Sequence, residues 1–425
     1  MPLFHQQTKH SFQSVRKNAF FLDWRTQPKN FKTYPHFYPR FAIDDYPALT
    51  GLNLISGITF EKHYPDGDYL LRTVPSAGGL YPCEVYMQLR GIKGLISGIY
   101  HYEPHTSKLA LIHEIEKDGI ESYLPNSTKR DGFSFLISAT YFRSSWKYRD
   151  RSIRYILLDT GHQLGSIYAA LCVMGRESVM EFDFDKIALN EAFGFRSDEL
   201  SLASIHERQI GAKQEENTQS EITPLKQTFP YVPPSDYLET NRFVEDAYRD
   251  SAHYSDTPLP LPYFFLNIPQ EQLKEAILQR RSIRAFRGEM IDANSLNTIT
   301  KDLFDFALSQ GVNIYYTLHR VDDTPQGLYK NGLLQKAGDF QERSKYLSLE
   351  QKLGGMSAVT FYFTSSEVEK YQKMTILSGF IAHIIYLRCE LLGVGCSGLG
   401  AYYDDETKNF LQTSDNILYV LAIGR

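Results

Sequence analysis

The chain has 425 residues, 42% of them hydrophobic and 22% charged, with a formal net charge of −5. That length and apolar content fill two or three cored domains, and the faintly acidic balance excludes the basic footprint of a nucleic-acid binder. Its four cysteines, Cys83, Cys172, Cys389 and Cys396, make no Cys-x-x-Cys pair, which argues against a metal or paired-thiol site and for a reducing compartment.

Residues 1–45 are polar and aromatic with several prolines, and read as an extended arm. No signal-peptide pattern opens the sequence. Charges such as Arg388 and Glu390 interrupt its longest apolar stretches, so a cytoplasmic protein without a membrane span is expected. A first domain is expected over 46–210. Within it, Pro75-Ser76-Ala77-Gly78-Gly79-Leu80-Tyr81-Pro82 is a small-residue loop whose backbone can approach a flat ligand closely, because glycine has no Cβ. His101 and His105 lack further ligands and read as surface residues, so no metal site is expected. Residues 211–268 read as linker and wrapping segment: 211–220 is polar without apolar spacing, and 230–262 is rich in proline and tyrosine. The second domain is expected over 269–425. Its Glu271–Leu278 stretch is an amphipathic helix, and Arg280-Arg281-Ser282-Ile283-Arg284 follows at its end. Three guanidinium groups beside a hydroxyl suit a phosphate, although Arg281 should point to a different side from its neighbours. Asp292 reads as a further helix start.

The two halves repeat one another. Val85–Leu89 matches Ile314–Leu318, and Gly98-Ile99-Tyr100 matches Gly327-Leu328-Tyr329, both at an offset of 229 residues. Gly161–Gly175 matches Gly379–Gly393 at an offset of 218. Units of this length indicate duplicated domains rather than the short units of a solenoid. Each half has lost something. The partner of the Pro75–Pro82 loop is Phe304–Gly311, which has helical apolar spacing, and the N-terminal half has no Arg-x-Ser-x-Arg. Only the C-terminal copy continues past its matched helix into a glycine loop, Gly393–Gly400. One complete ligand site per chain, with its mirror decayed, is therefore expected.

These motifs resemble the nitroreductase superfamily, and specifically its SagB/ThcOx-type dehydrogenase branch. The resemblance rests on Leu22-Asp23-Trp24, Gln27-Pro28, Arg72–Glu84, Lys147–Arg151, Arg280–Arg284, Gly393–Gly400 and Gly424-Arg425. It implies an α+β fold of two nitroreductase-like domains fused in tandem as a pseudo-dimer, with one FMN at their interface. It further implies Arg280, Arg281, Ser282, Arg284 and Arg425 as phosphate-side and pyrimidine-side contacts. Pro75, Ser76, Ala77, Gly78 and Gly79 are implied as contacts to the ring and ribityl chain, with Gly79 where many nitroreductases have Asn. Gly398, Leu399 and Gly400 would form a loop whose backbone N–H meets flavin N5. Lys147 and Tyr148 would be the catalytic pair, although their charged surroundings also suit a basic surface loop. The activity implied is hydride transfer through FMN, oxidising thiazoline or oxazoline rings of a modified peptide. NAD(P)H-dependent reduction of a nitro or quinone acceptor is the alternative, and a non-catalytic scaffold a second one. Further pairing of fused chains stays open.

Overall fold

The repeat seen in the sequence is a repeat of strand registers. The computed structural model describes residues 2–17, 21–64, 67–125, 128–208 and 222–425; the expected linker at 211–220 lies outside the described residues. Two compact units result, Trp24–Lys274 and Met1–Asp23 with Glu275–Arg425, and the boundary falls within the helix Gln270–Gln279. The expected arm is thus divided: up to Asp23 it goes with the C-terminal unit, and from Trp24 with the N-terminal one. The described residues 222–268 belong to the N-terminal unit, where Leu225, Phe229 and Val232 join its core.

In the N-terminal unit the strands are β1 (Arg40–Ala42), β2 (Ile58–Tyr64), β3 (Gly67–Arg72), β4 (Cys83–Arg90), β5 (Gly98–Glu103), β6 (Lys108–Glu114), β7 (Gly132–Thr140), β8 (Ser178–Glu181), β9 (Glu199–Glu207) and β10 (Leu259–Pro260). Eight of them form one sheet in the order β1-β6-β5-β4-β7-β9-β8-β10, while β2 and β3 make a separate hairpin. The C-terminal unit has β11 (Asn313–Leu318), β12 (Gly327–Lys330), β13 (Leu333–Ala337), β14 (Val359–Ser365), β15 (Gly395–Leu399) and β16 (Asn416–Gly424), ordered β13-β12-β11-β14-β16-β15. Remove β1 and β10 from the first sheet and the two orders coincide.

The agreement extends to individual pairs. Tyr86↔His101 and Leu89↔Gly98 in the first sheet become Tyr315↔Lys330 and Leu318↔Gly327 in the second, 229 residues later. Ser178↔Glu207 becomes Gly395↔Gly424, 217 residues later. Even the irregularities recur: a bulge at Ile99/Tyr100 reappears at Leu328/Tyr329, and one at Ile137/Ser138 reappears at Phe363/Thr364. A bulge is a costly, position-specific feature of a strand pair, so its repetition marks descent from one domain.

Each sheet packs against a long helix that is buried on nearly all sides. Helix α1 (Tyr141–Tyr148) leads into α2 (Ser152–Val173), which is buried from Ser152 to Cys172. In the second copy α3 (Leu303–Ser309) replaces the glycine loop, as its spacing predicts, and α4 (Tyr371–Leu391) is the counterpart of α2. Both core helices stop in the same way. Gly175 and Gly393 take left-handed φ values of +70° and +63°. The next residue then bonds back, Arg176 N–H to Leu171 O at 2.8 Å and Val394 N–H to Cys389 O at 2.9 Å. This closure satisfies carbonyls left unpaired at a helix end.

One expectation is corrected here. Arg388 does not interrupt an apolar stretch, because α4 is long and apolar enough to cross a membrane by length and composition. Yet 89% of its apolar window is buried inside the fold, where it serves as a core helix. The Arg388 guanidinium is buried too, donating to Ile299 O at 3.1 Å and Lys301 O at 2.6 Å.

Candidate functional site

In the N-terminal unit the octapeptide forms a tight turn with a short 3-10 segment at Ala77–Gly79. Gly78, Gly79 and Tyr81 all have positive φ, at 65°, 67° and 46°. For Tyr81 this conformation is strained, and such strain concentrates at functional sites. Gly78 is exposed at the apex. A Cβ there would lie 2.7 Å from the Tyr148 hydroxyl and 3.2 Å from Lys147 Nζ. Lys147 and Tyr148 are therefore the end of α1 brought against the turn, not part of a surface loop. Arg149 follows with a φ of 50°, which turns the chain from α1 towards α2. Gly79 is gripped from elsewhere: a Cβ would overlap the Tyr69 phenol, whose hydroxyl donates to Gly78 O at 2.9 Å.

The turn is anchored from beneath by Asp159 of α2, a residue that sequence reasoning missed. Its carboxyl accepts from Ser76 Oγ at 2.6 Å and from Ala77 N–H at 3.1 Å, while Ser76 Oγ accepts from Tyr81 N–H at 2.9 Å. The available signal was the lone acid of a mostly apolar helix. On the far side, fully buried Arg143 of α1 donates to Tyr81 O at 2.9 Å and pairs with Glu84 at 2.6 Å. Burial lifts Asp159 from the usual carboxyl range to about 7, against the opposing pull of the Ser76 and Ala77 hydrogen bonds. An unfolded chain releases this proton near pH 4. Between about pH 4 and about pH 7 the folded state thus holds a proton that the unfolded state lacks, so stability falls as pH rises across that window and then levels off. The effect is at most on the order of 4 kcal/mol. In Asp159→Asn this contribution should vanish: melting temperatures read from pH 5 to pH 8 should decline less steeply than in the parent. Parallel curves would assign the slope to other groups.

His101 was expected at the surface. It is instead fully buried on β5, with Nε2 2.9 Å from Glu84 Oε2, and so helps hold the same buried glutamate as Arg143. No group of three His, Cys, Asp or Glu side chains suited to a metal occurs among the described residues.

In the C-terminal unit a second cluster forms around Tyr386 of α4, also missed from the sequence. Arg280 is buried, its guanidinium carbon 5.4 Å from the Tyr386 ring centroid. Ser282 Oγ is 3.0 Å from the Tyr386 hydroxyl, and Gly398 N–H donates to that hydroxyl at 2.7 Å. Burial pushes the phenol up to about 12, so it stays neutral and keeps its proton. With Gly398 donating to it, the phenol can donate to Ser282, leaving the serine proton to donate to an anionic acceptor oxygen. A bridge between Ser282 and Cys396, with Ile283 N–H on Cys396 O at 3.0 Å, holds the arginine segment along β15.

Other expected residues fall differently. Arg281 folds back to cap its helix, donating to Leu278 O at 3.1 Å and Arg280 O at 2.7 Å. Arg284 is exposed. Arg425 is tied beside the arginine segment through its carbonyl, which accepts from Arg287 N–H at 2.7 Å and Gly288 N–H at 3.1 Å. The expected loop at Gly398 and Leu399 is a correction: both lie in edge strand β15, opposite Leu421 and Val420, and Gly400 follows it. Gly398 N–H is committed to Tyr386 rather than open to a ligand, and Leu399 belongs to the core. Close packing explains the glycine, since a Cβ at 398 would lie 2.0 Å from the Tyr419 hydroxyl.

A twice-repeated antiparallel sheet over a buried helix is the nitroreductase-like α+β fold, here in tandem. The chain aligns over 99% of its length with the solved structure of an Anabaena variabilis protein named as a nitroreductase, covering 98% of that chain at a TM-score of 0.80 and 22% identity. By sequence, residues 277–425 match the model of the Nitroreductase family. A Methanocaldococcus jannaschii protein named as a nitroreductase is 28% identical over 134 residues, 30% of this chain and 66% of that one. The trifolitoxin-processing protein TfxB of Rhizobium leguminosarum bv. trifolii is 33% identical over 121 residues, 26% of this chain. The matches thus span just under two thirds of the first relative and about a third of the second.

Proposed function

We propose that the chain is an FMN-dependent oxidoreductase that removes two electrons, as hydride, from azoline rings in a modified peptide. The observation that carries this reading is the approach of Lys147 Nζ and the Tyr148 hydroxyl to the apex of the glycine turn. Aromatising a thiazoline or oxazoline takes a hydride from one ring carbon and a proton from its neighbour. FMN, when bound, supplies the hydride acceptor. Lys147 and Tyr148 supply a proton acceptor and a hydroxyl side by side, within reach of backbone that lacks side chains.

Each unit, taken by itself, offers chemistry that suits part of the cofactor. Arg280, Ser282 and Arg284 offer charge-assisted donors to a phosphate, with Arg425 beside them. Pro75 to Gly79 give an exposed glycine apex on which a flat ring can rest, pinned below by Asp159. A peptide substrate also accords with the likeness to a protein named for processing trifolitoxin. Reduction of a nitro or quinone acceptor by NAD(P)H is the competing reading, favoured by the likeness to the M. jannaschii protein.

The test is the visible spectrum of purified chain, with heat-released flavin counted against protein, followed by turnover of an azoline peptide and of NAD(P)H. About one FMN per chain and formation of the azole are expected. No flavin even after FMN is added would overturn the reading, and NAD(P)H oxidation without azole formation would replace it with the reductase.

A further inference from the structure

We propose that Trp24 is a substrate-binding residue, a platform on which a flat ring of the peptide stacks beside Lys147. The inference rests on the reading of the site given above and adds to it the surface that selects the substrate. Tryptophan is strongly buried on average, and exposing an indole forgoes a large hydrophobic gain. Trp24 is nevertheless 60% exposed. It is not loosely held. It sits in a short 3-10 turn, Trp24–Thr26, and its ring meets buried Trp146 of α1 edge to face, with centroids 5.5 Å apart. Trp146 is fixed in turn by its Nε1–H bond to Thr26 Oγ1 at 2.9 Å.

Lys147 Nζ lies 5.3 Å from the Trp24 ring centroid and next to the Gly78 apex. An exposed, immobilised indole, a candidate proton acceptor and a side-chain-free turn therefore follow one another over a few ångströms. A planar azoline, or the azole it becomes, gains from an aromatic face with its electron-rich surface open. A nicotinamide or small acceptor stacked on flavin alone would gain nothing from an indole placed at the lysine.

The chain has two tryptophans, Trp24 and Trp146, which makes the test direct. In the purified full chain, titration with a synthetic peptide bearing one thiazole ring should quench the component of indole emission that is missing from Trp24→Phe. Trp24→Ala should keep the parental flavin content, raise KM for the azoline peptide about 10-fold and leave kcat within about 2-fold, with Trp24→Phe recovering most of the loss. Unchanged KM in a Trp24→Ala chain that holds FMN and forms azole would overturn the platform while leaving the oxidoreductase reading intact. Absent flavin or azole formation would instead count against that reading, and the Trp24 emission would then decide the platform alone: no quenching by the thiazole peptide overturns it.

Discussion

Arg280→Ala is expected to emerge from purification nearly colourless. A buried guanidinium that faces a phosphate contributes about 1.5–3 kcal/mol through charge-assisted hydrogen bonds, which is roughly 10- to 100-fold in affinity. Arg280 also stands over the Tyr386 ring and draws the half-buried Glu390 carboxyl down, opposing the rise that partial burial causes. Its loss therefore disturbs the group that orients Ser282. Arg280→Lys keeps the charge but not the planar fork, and should fall between parent and alanine variant. Arg284→Ala should weaken retention as well. Asp305→Ala and Ser309→Ala lie on α3, the counterpart of the glycine turn, and should retain flavin like the parent. Equal flavin loss in both sets, measured by equilibrium dialysis with added FMN, would show that the arginine segment is not the phosphate site.

Lys147→Ala should give the opposite profile, a yellow protein that has lost azole formation by about 100-fold or more, the scale of a positioned general base. Tyr148→Phe removes the hydroxyl but keeps its ring on Tyr155, 4.2 Å between centroids, and so tests the hydroxyl without emptying the packing. Single-turnover reduction of the bound flavin by an azoline peptide separates this step from reoxidation. Rates matching the parent in both variants would remove the pair from the chemistry.

Much of the fold could be read from the sequence because the repeat lies in strand pairs and core helices, where packing restricts what may change. Gly98 and Gly327 are kept for the same reason, since a Cβ at either would strike the neighbouring strand. The amphipathic helix at Gln270–Gln279 and the Asp292 cap, whose carboxylate accepts from Ser295 N–H at 2.8 Å, follow from local signals. Long-range polar partnerships carry no such signal. Lys32 reaches Glu199 at 2.7 Å across 167 residues, both buried, and nothing near either residue announces the other. Asp159 and Tyr386 were missed for a related reason: one polar group among several in a buried, mostly apolar helix has no distinguishing pattern until its partner in space is known. Strand β15 was misread because glycine-rich Gly395–Leu399 has little strand propensity of its own, and is held extended by β16 and by the arginine segment.

The two sheets differ most at their rims. In the N-terminal copy, short strands β1 and β10 cover the counterparts of β13 and β15, whereas in the C-terminal copy β13 remains outermost, exposed throughout, with Leu333 71% accessible. Unpaired amides beside exposed leucine are a template for strand exchange, above all when every molecule also contains a related ladder. The chain counters this with brevity, with the inherited bulge at Leu328/Tyr329 and with Lys336 on the rim. These features guard against the aggregation that duplication invites, because nascent chains on neighbouring ribosomes present the same edge to one another before either has finished folding.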